Sequence, residues 1–182
     1  MADVTSVPHA VARERVPFDM NVSIAQIAPV LLARQRTLDK VVASIGSAAS
    51  EGSRLVAFGE SLVPGYPCWL SRLGGARFDD ERNKSIHAMY VDQAVDLNAD
   101  QLDGVREACR AGSIAAVVGV AERARDRGGH TLFCSAVTIA PTGDIASVHR
   151  KLVPTYEERL CWSHGDAHGL VSHRFLEPFT LG

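Results

Sequence analysis

A mixed α/β domain is the fold class this sequence predicts, and two patterns predict it. A strand–helix–strand run occupies the first third of the chain, and three strands joined by tight turns follow between residues 114 and 149. Parallel and antiparallel strands with helices between them make a layered α/β or α+β sheet. Composition agrees with one soluble globular domain: of 182 residues, 46% are apolar and 22% charged.

Residues 1–19 are polar and charged, with Pro8 and Pro17, and read as a loose leader before a domain over 20–182. Asn21 to Ala28 is short and β-like. Leu38, Val41, Val42 and Ile45 then form the i, i+3, i+4, i+7 stripe of an amphipathic helix. Gly52 stands where the end of that helix needs a positive φ. Leu55 to Phe58 is an unbroken apolar run, the pattern of a strand covered on both faces. The order strand, helix, strand predicts a parallel start. After a connection rich in Pro and Gly, helices are expected over about Asp80 to Ala94 and over Asp100 to Ala111. The second has Leu102, Val105 and Cys109 on one face and Asp100 as its N-cap. Ile114 to Ala121, Thr131 to Ala140 and Ile145 to His149 read as an antiparallel meander, its turns marked by Arg125 to His130 and by Pro141 to Asp144.

Charge and hydropathy exclude several classes. The formal net charge is −2, with no basic stripe among the few aromatics, so nucleic acid is not an expected partner. No run approaches the ~18 apolar residues of a membrane span. No basic segment leads into an apolar core, so a secretory signal is not expected. The four cysteines, Cys68, Cys109, Cys134 and Cys161, are well separated and are expected to be reduced thiols of a cytoplasmic protein, most of them buried. Gly74-Gly75 and Gly128-Gly129 are isolated pairs rather than phosphate cradles, so no nucleotide cofactor is expected.

Two segments carry chemistry. In Phe58-Gly59-Glu60-Ser61-Leu62-Val63-Pro64-Gly65-Tyr66-Pro67, a carboxylate leaves the end of a buried strand, where sites of α/β sheets gather and where partial burial suits a general base. Its plain alternative is a glutamate that caps the next turn or pairs on the surface. In His149-Arg150-Lys151-Leu152-Val153-Pro154-Thr155-Tyr156-Glu157-Glu158-Arg159, a lysine again follows a strand; beside a carboxylate it stays protonated and can stabilise an oxyanion. The alternative is a solvated basic strand end, with Glu157 or Glu158 pairing with Arg159 or Arg150 on the surface.

In series, these segments resemble the nitrilase superfamily of carbon–nitrogen hydrolases. The first is similar to its glutamate motif, F-x-E followed by P-G-Y-P, and the second to its lysine motif. Gly119-Val120-Ala121-Glu122 adds a weaker match, and the resemblance spans about residues 21 to 170. The wording is nearer to the nitrilase branch than to the amidases. The resemblance implies an αββα sandwich, here partial, that self-associates and needs no cofactor. It implies conversion of a small-molecule nitrile to a carboxylic acid and ammonia. Glu60 then corresponds to the general base, Lys151 to the stabiliser of the tetrahedral intermediate, and Glu158 to the second glutamate. Tyr66 and Trp69 (and Trp162) are candidates to line a substrate pocket.

The family's third member, a cysteine nucleophile on a later strand, falls just past Gly182 when counted on from Lys151. Cys161-Trp162 spells the right dipeptide, but it lies inside the lysine motif and Ser163 follows where an acid is expected. Cys161 is therefore expected on a loop or helix away from Glu60, and Cys68 has no feature of an attacking group. Val171 to Gly182 does not read as the strand, turn and apolar strand that would carry the nucleophile. The expectation is a C-terminally truncated domain without its thiol and without activity, or a non-catalytic remnant that acts by association with other chains. A zinc site at Cys161, His164, His168 and His173 is a further alternative, although the spacing matches no paired-ligand signature.

Overall fold

The computed structural model describes residues 19–182. All but the last residue of the expected leader, 1–19, lies outside the described residues. The chain forms β1 (Val22–Ala25), α1 (Arg34–Ser50), β2 (Leu55–Phe58), α2 (Trp69–Arg72), α3 (Glu81–Gln93), α4 (Asp103–Gly112), β3 (Ala115–Ala124), β4 (Thr131–Ile139), β5 (Ile145–Arg150), β6 (His173–Leu176) and β7 (Phe179–Leu181). The first five strands make one sheet in the order β1-β2-β3-β4-β5. β1, β2 and β3 run parallel, and β4 and β5 return antiparallel. The mixed α/β class read from the sequence is the class found.

Strand residues alternate between faces, and the two faces of this sheet have different covers. On one face, Val56, Ala116, Val118, Val120, Val137 and Ile139 pack under α1 and α4 through Leu38, Val41, Ile45, Val105 and Cys109. On the other face, Ala121, Leu132 and Cys134 lie under α2, α3 and the segment after β5, through Trp69, Leu70, Tyr90, Cys161 and Trp162. At the opposite end of that second face, Leu55 and Ala115 are covered by Leu176, with Phe175 and Leu181 beside it. Between these two covers, Val117, Ala136 and His149 line cavities open along the sheet.

Two local expectations are corrected. Asp100 is not the N-cap of a helix; Asp100–Leu102 is a 3₁₀ turn, and α4 starts at Asp103 with no side-chain cap. The tight turn lets Leu102, Val105 and Cys109 reach the core together, at 3%, 1% and 0% exposure. The tail does form strand, turn and strand: β6 and β7 pair antiparallel around Glu177 and Pro178. Its alternation is weak in sequence, and the pairing gains from Leu176, 1% exposed, against a sheet face that the chain cannot announce locally.

Candidate active site

Glu60 leaves β2 in a turn stitched down at several points. Ser61 adopts φ 50°, and its hydroxyl donates to the Gly65 carbonyl (3.3 Å) and lies 3.2 Å from the Tyr90 hydroxyl. The Val63 N–H donates to the Gly119 carbonyl (3.2 Å), and the Ala121 N–H donates to the Val63 carbonyl (2.7 Å). The turn therefore crosses directly over β3 at Gly119. A Cβ there would stand 2.7 Å from Ser61 N and 2.9 Å from Glu60 Cα, so only glycine lets the two backbones approach.

Lys151 directly follows β5. Its N–H donates to the Cys134 carbonyl (2.8 Å), and its own carbonyl accepts from the Gly165 N–H (3.0 Å). With its backbone held on both sides, its Nζ donates to Glu60 Oε2 (3.2 Å) and to Glu158 Oε2 (2.9 Å). Glu158 comes from the 3₁₀ turn Tyr156–Leu160, which it helps to start. The Thr155 side chain accepts from the Glu158 N–H, and the Glu158 carboxylate accepts from the Thr155 N–H (2.6 Å), a capping box. The Tyr66 hydroxyl donates to the other oxygen, Glu158 Oε1 (3.1 Å).

These contacts set the charges. Burial opposes ionisation of Glu158, but bonds from Lys151, the Thr155 N–H and Tyr66 outweigh it and hold the carboxyl below its usual range. Burial also opposes the Lys151 ammonium, and the bonds to Glu158 and Glu60 outweigh it, so the lysine stays protonated beyond its usual range. Burial and the bond to Glu158 push the Tyr66 phenol up to about 12. Glu60 is the most open of the group: its side chain is 50% exposed, against 8% for Glu158.

The structure thus brings Glu60, Lys151 and Glu158 together, and neither Glu158 nor Lys151 is a solvated surface charge. A cavity of about 340 Å³ adjoins Glu60 and Lys151, lined also by Phe58, Val117, Gly119, Cys134, Ser135, Ala136 and His149. Tyr66 and Trp69 do not line it. Tyr66 bonds Glu158 and sets its ring edge-on to Trp162 (5.7 Å); Trp162, 2% exposed, lies 6.0 Å from Lys151 Nζ. Trp69, 6% exposed, packs edge-on against Tyr90 in the core (4.8 Å).

Cys161 caps the end of the 3₁₀ turn, with its Sγ 3.9 Å from His87 Nδ1, and burial pushes its thiol up to about 12. It does not line the cavity beside Glu60. His173 bonds the Ser147 hydroxyl (2.8 Å) and stacks on Phe175, and among the described residues no group of three His, Cys, Asp or Glu side chains could hold a metal ion. Sequence reasoning missed two features: Cys134 on the cavity wall, and the Glu122–Arg150 ion pair, with the Ser135 hydroxyl bonded to Glu122, on the opposite face of the sheet. The available signal was Glu122, an acid inside a strand that otherwise reads as buried.

The carbon–nitrogen hydrolase family profile matches residues 21–178. The chain belongs to the carbon–nitrogen hydrolase family. It is similar to nitrilase 2 of an unknown prokaryotic organism, 32% identical over 153 residues, which cover 84% of this chain and 46% of that protein. It is also similar to an arylacetonitrilase of Hypocrea virens, 32% identical over 154 residues, 84% of this chain and 43% of that protein. The fold of this carbon–nitrogen hydrolase family chain resembles the crystal structure of an amidase from Nesterenkonia sp., with TM-score 0.58 and 18% identity over 81% of this chain and 48% of that one. The chain spans less than half the length of the curated relatives it matches.

Proposed function

We propose that this chain carries the acid–base and charge-stabilising part of a nitrilase site, which turns a small nitrile into a carboxylic acid and ammonia. The observation that carries this reading is Lys151 Nζ held between Glu60 and Glu158 beside a cavity. The 32% identity to the two nitrile-hydrolysing relatives supports the nitrile over other carbon–nitrogen substrates.

The chemistry requires a thiol, which in this reading lies outside the 182 residues. Its proton passes to Glu60, and its sulfur bonds to the cyano carbon while one C–N π bond becomes an N–H bond, giving a thioimidate. Lys151 stabilises negative charge as it develops on nitrogen. Water activated by Glu60 adds, ammonia leaves, and a second water cleaves the thioester to the acid. Glu158, fixed by Thr155, Tyr66 and Lys151, orients the ammonium. Cys134 is the one thiol on the cavity wall, and its position argues against it as the attacker: it is 5% exposed within β4, and burial pushes it up to about 12. In this reading the 182 residues, lacking the attacking thiol, do not turn over nitrile.

The test is ammonia release from aliphatic, aromatic and arylacetic nitriles. It compares the 182-residue chain with a version extended at Gly182 by the remaining half of a nitrilase relative. Activity in the extended chain, lost in Glu60→Gln and Lys151→Met, is the expected result. No activity in the extended, folded chain sinks the reading. Activity in the 182-residue chain that Cys161→Ala abolishes would make Cys161 the nucleophile.

A further inference from the structure

We infer that Arg150 is a positioning residue for Lys151, acting from the opposite face of the sheet through a largely buried ion pair with Glu122. The inference rests on the reading of Lys151 as part of the active centre. Consecutive residues at a strand end point to opposite faces, so Arg150 projects behind the sheet as Lys151 projects in front. The Arg150 guanidinium meets Glu122 along two edges, with Nε 3.0 Å from Oε2 and Nη2 2.5 Å from Oε1. Its plane covers the Phe133 ring, 4.2 Å from the centroid, and its Nη1 and Nη2 reach Asp166 (3.4 Å) and Asp126 (3.6 Å). Glu122 is 3% exposed and takes a further bond from the Ser135 hydroxyl (2.6 Å).

The group therefore ties β3, β4, β5 and the loop after the 3₁₀ turn to one guanidinium. That loop is also what holds Lys151: the Gly165 N–H bonds the Lys151 carbonyl, and a Cβ at Gly165 would come within 2.7 Å of the same oxygen. An arginine fork fixes direction as well as charge, which a lysine in its place would not. With it removed, the end of β5 and the Asp166 loop lose their shared anchor, and Lys151 is free to swing away from the two carboxylates.

The sequence has only three lysines, Lys40, Lys84 and Lys151, so competitive acetylation read by mass spectrometry follows each one separately. In the native 182-residue chain Lys151 is shielded relative to Lys84. Arg150→Gln and, to a smaller extent, Arg150→Lys raise the Lys151 rate at mildly alkaline pH by about threefold or more, with Lys84 unchanged. The triple variant Glu122→Leu/Ser135→Ala/Arg150→Met separates positioning from stability, because a buried ion pair replaced by apolar groups can regain stability. There the urea midpoint recovers while Lys151 stays reactive. Wild-type shielding of Lys151 in the folded triple variant and in Arg150→Lys overturns the inference. This readout needs no turnover: a shielded Lys151 in an extended chain that releases no ammonia sinks the nitrilase reading and leaves the clamp standing.

Discussion

Lys151 and Glu60 stand 91 residues apart in the chain, and their charged groups meet at 3.2 Å. Neither side chain is held by its own segment alone. Glu60 depends on a turn that crosses Gly119, and Lys151 depends on a strand end fixed by Cys134 and Gly165.

The crossing at Gly119 is steric and leaves no room for a methyl group. Gly119→Ala forces the backbone at Glu60 and Ser61 to move, and overpacking of this kind costs about 1–3 kcal/mol. Urea unfolding should show the loss in the midpoint with the slope unchanged. A wild-type midpoint would mean that the turn relaxes freely.

The capping box couples stability to the site. Thr155→Ala removes the acceptor for the Glu158 N–H, and loss of an N-terminal cap costs ~1 kcal/mol. It also loosens the carboxylate that holds Lys151, so acetylation of Lys151 should rise in the same variant. A stability loss with no change at Lys151 would separate the two roles.

Acid and base both weaken the cluster, from opposite ends of the pH range. The Glu158 carboxyl is held below its ordinary 4.5, so its contribution is full above that pH and is lost as pH falls through the lowered value. The Lys151 ammonium is held above its ordinary 10.5, so its contribution is full below that pH and is lost as pH rises through the raised value. Urea midpoints against pH should fall at both extremes, and Glu158→Gln should flatten the acid limb. An unchanged acid limb in that variant would show that the buried carboxylate is not coupled to folding.

The hairpin β6–β7 lays one deeply buried side chain, Leu176, on the sheet, with Phe175 and Leu181 beside it and His173 bonded to Ser147. Leu176→Ala leaves a gap against Leu55 and Ala115 and should cost about 2–5 kcal/mol. Amide exchange should rise in β6 and β7 before it rises in β3. Uniform exchange across both sheets would mean that the hairpin unfolds with the whole domain.

Much of the site was legible because its residues sit next to strong local signals. Glu60 follows the apolar run Leu55 to Phe58, and Lys151 follows a strand bounded by a turn at Gly143. The T-x-x-E spacing of Thr155 and Glu158 is also present, but its role as a capping box emerged only from the structure. The positions of Tyr66 and Trp69 were not legible, since aromatic residues near a motif serve a core as readily as a pocket. Tyr66 holds Glu158, and Trp69 fills the core beside Tyr90. Asp100 looked like a cap because Asp is common at caps; the 3₁₀ turn found in place of the expected helix start carries Leu102 into the core.

By itself the sequence determined the mixed α/β class, the order of its main strands and helices, and the two motifs that carry an acid and an amine. Those are local properties, written in periodicity, turn residues and short charged segments. Only the tertiary structure decided that the acid and amine meet, that Glu158 is buried between Lys151 and Tyr66, and that Glu122 and Arg150 pair behind them. A strand reports which residues alternate, but the face that is covered and the charges it brings together depend on elements distant in the chain.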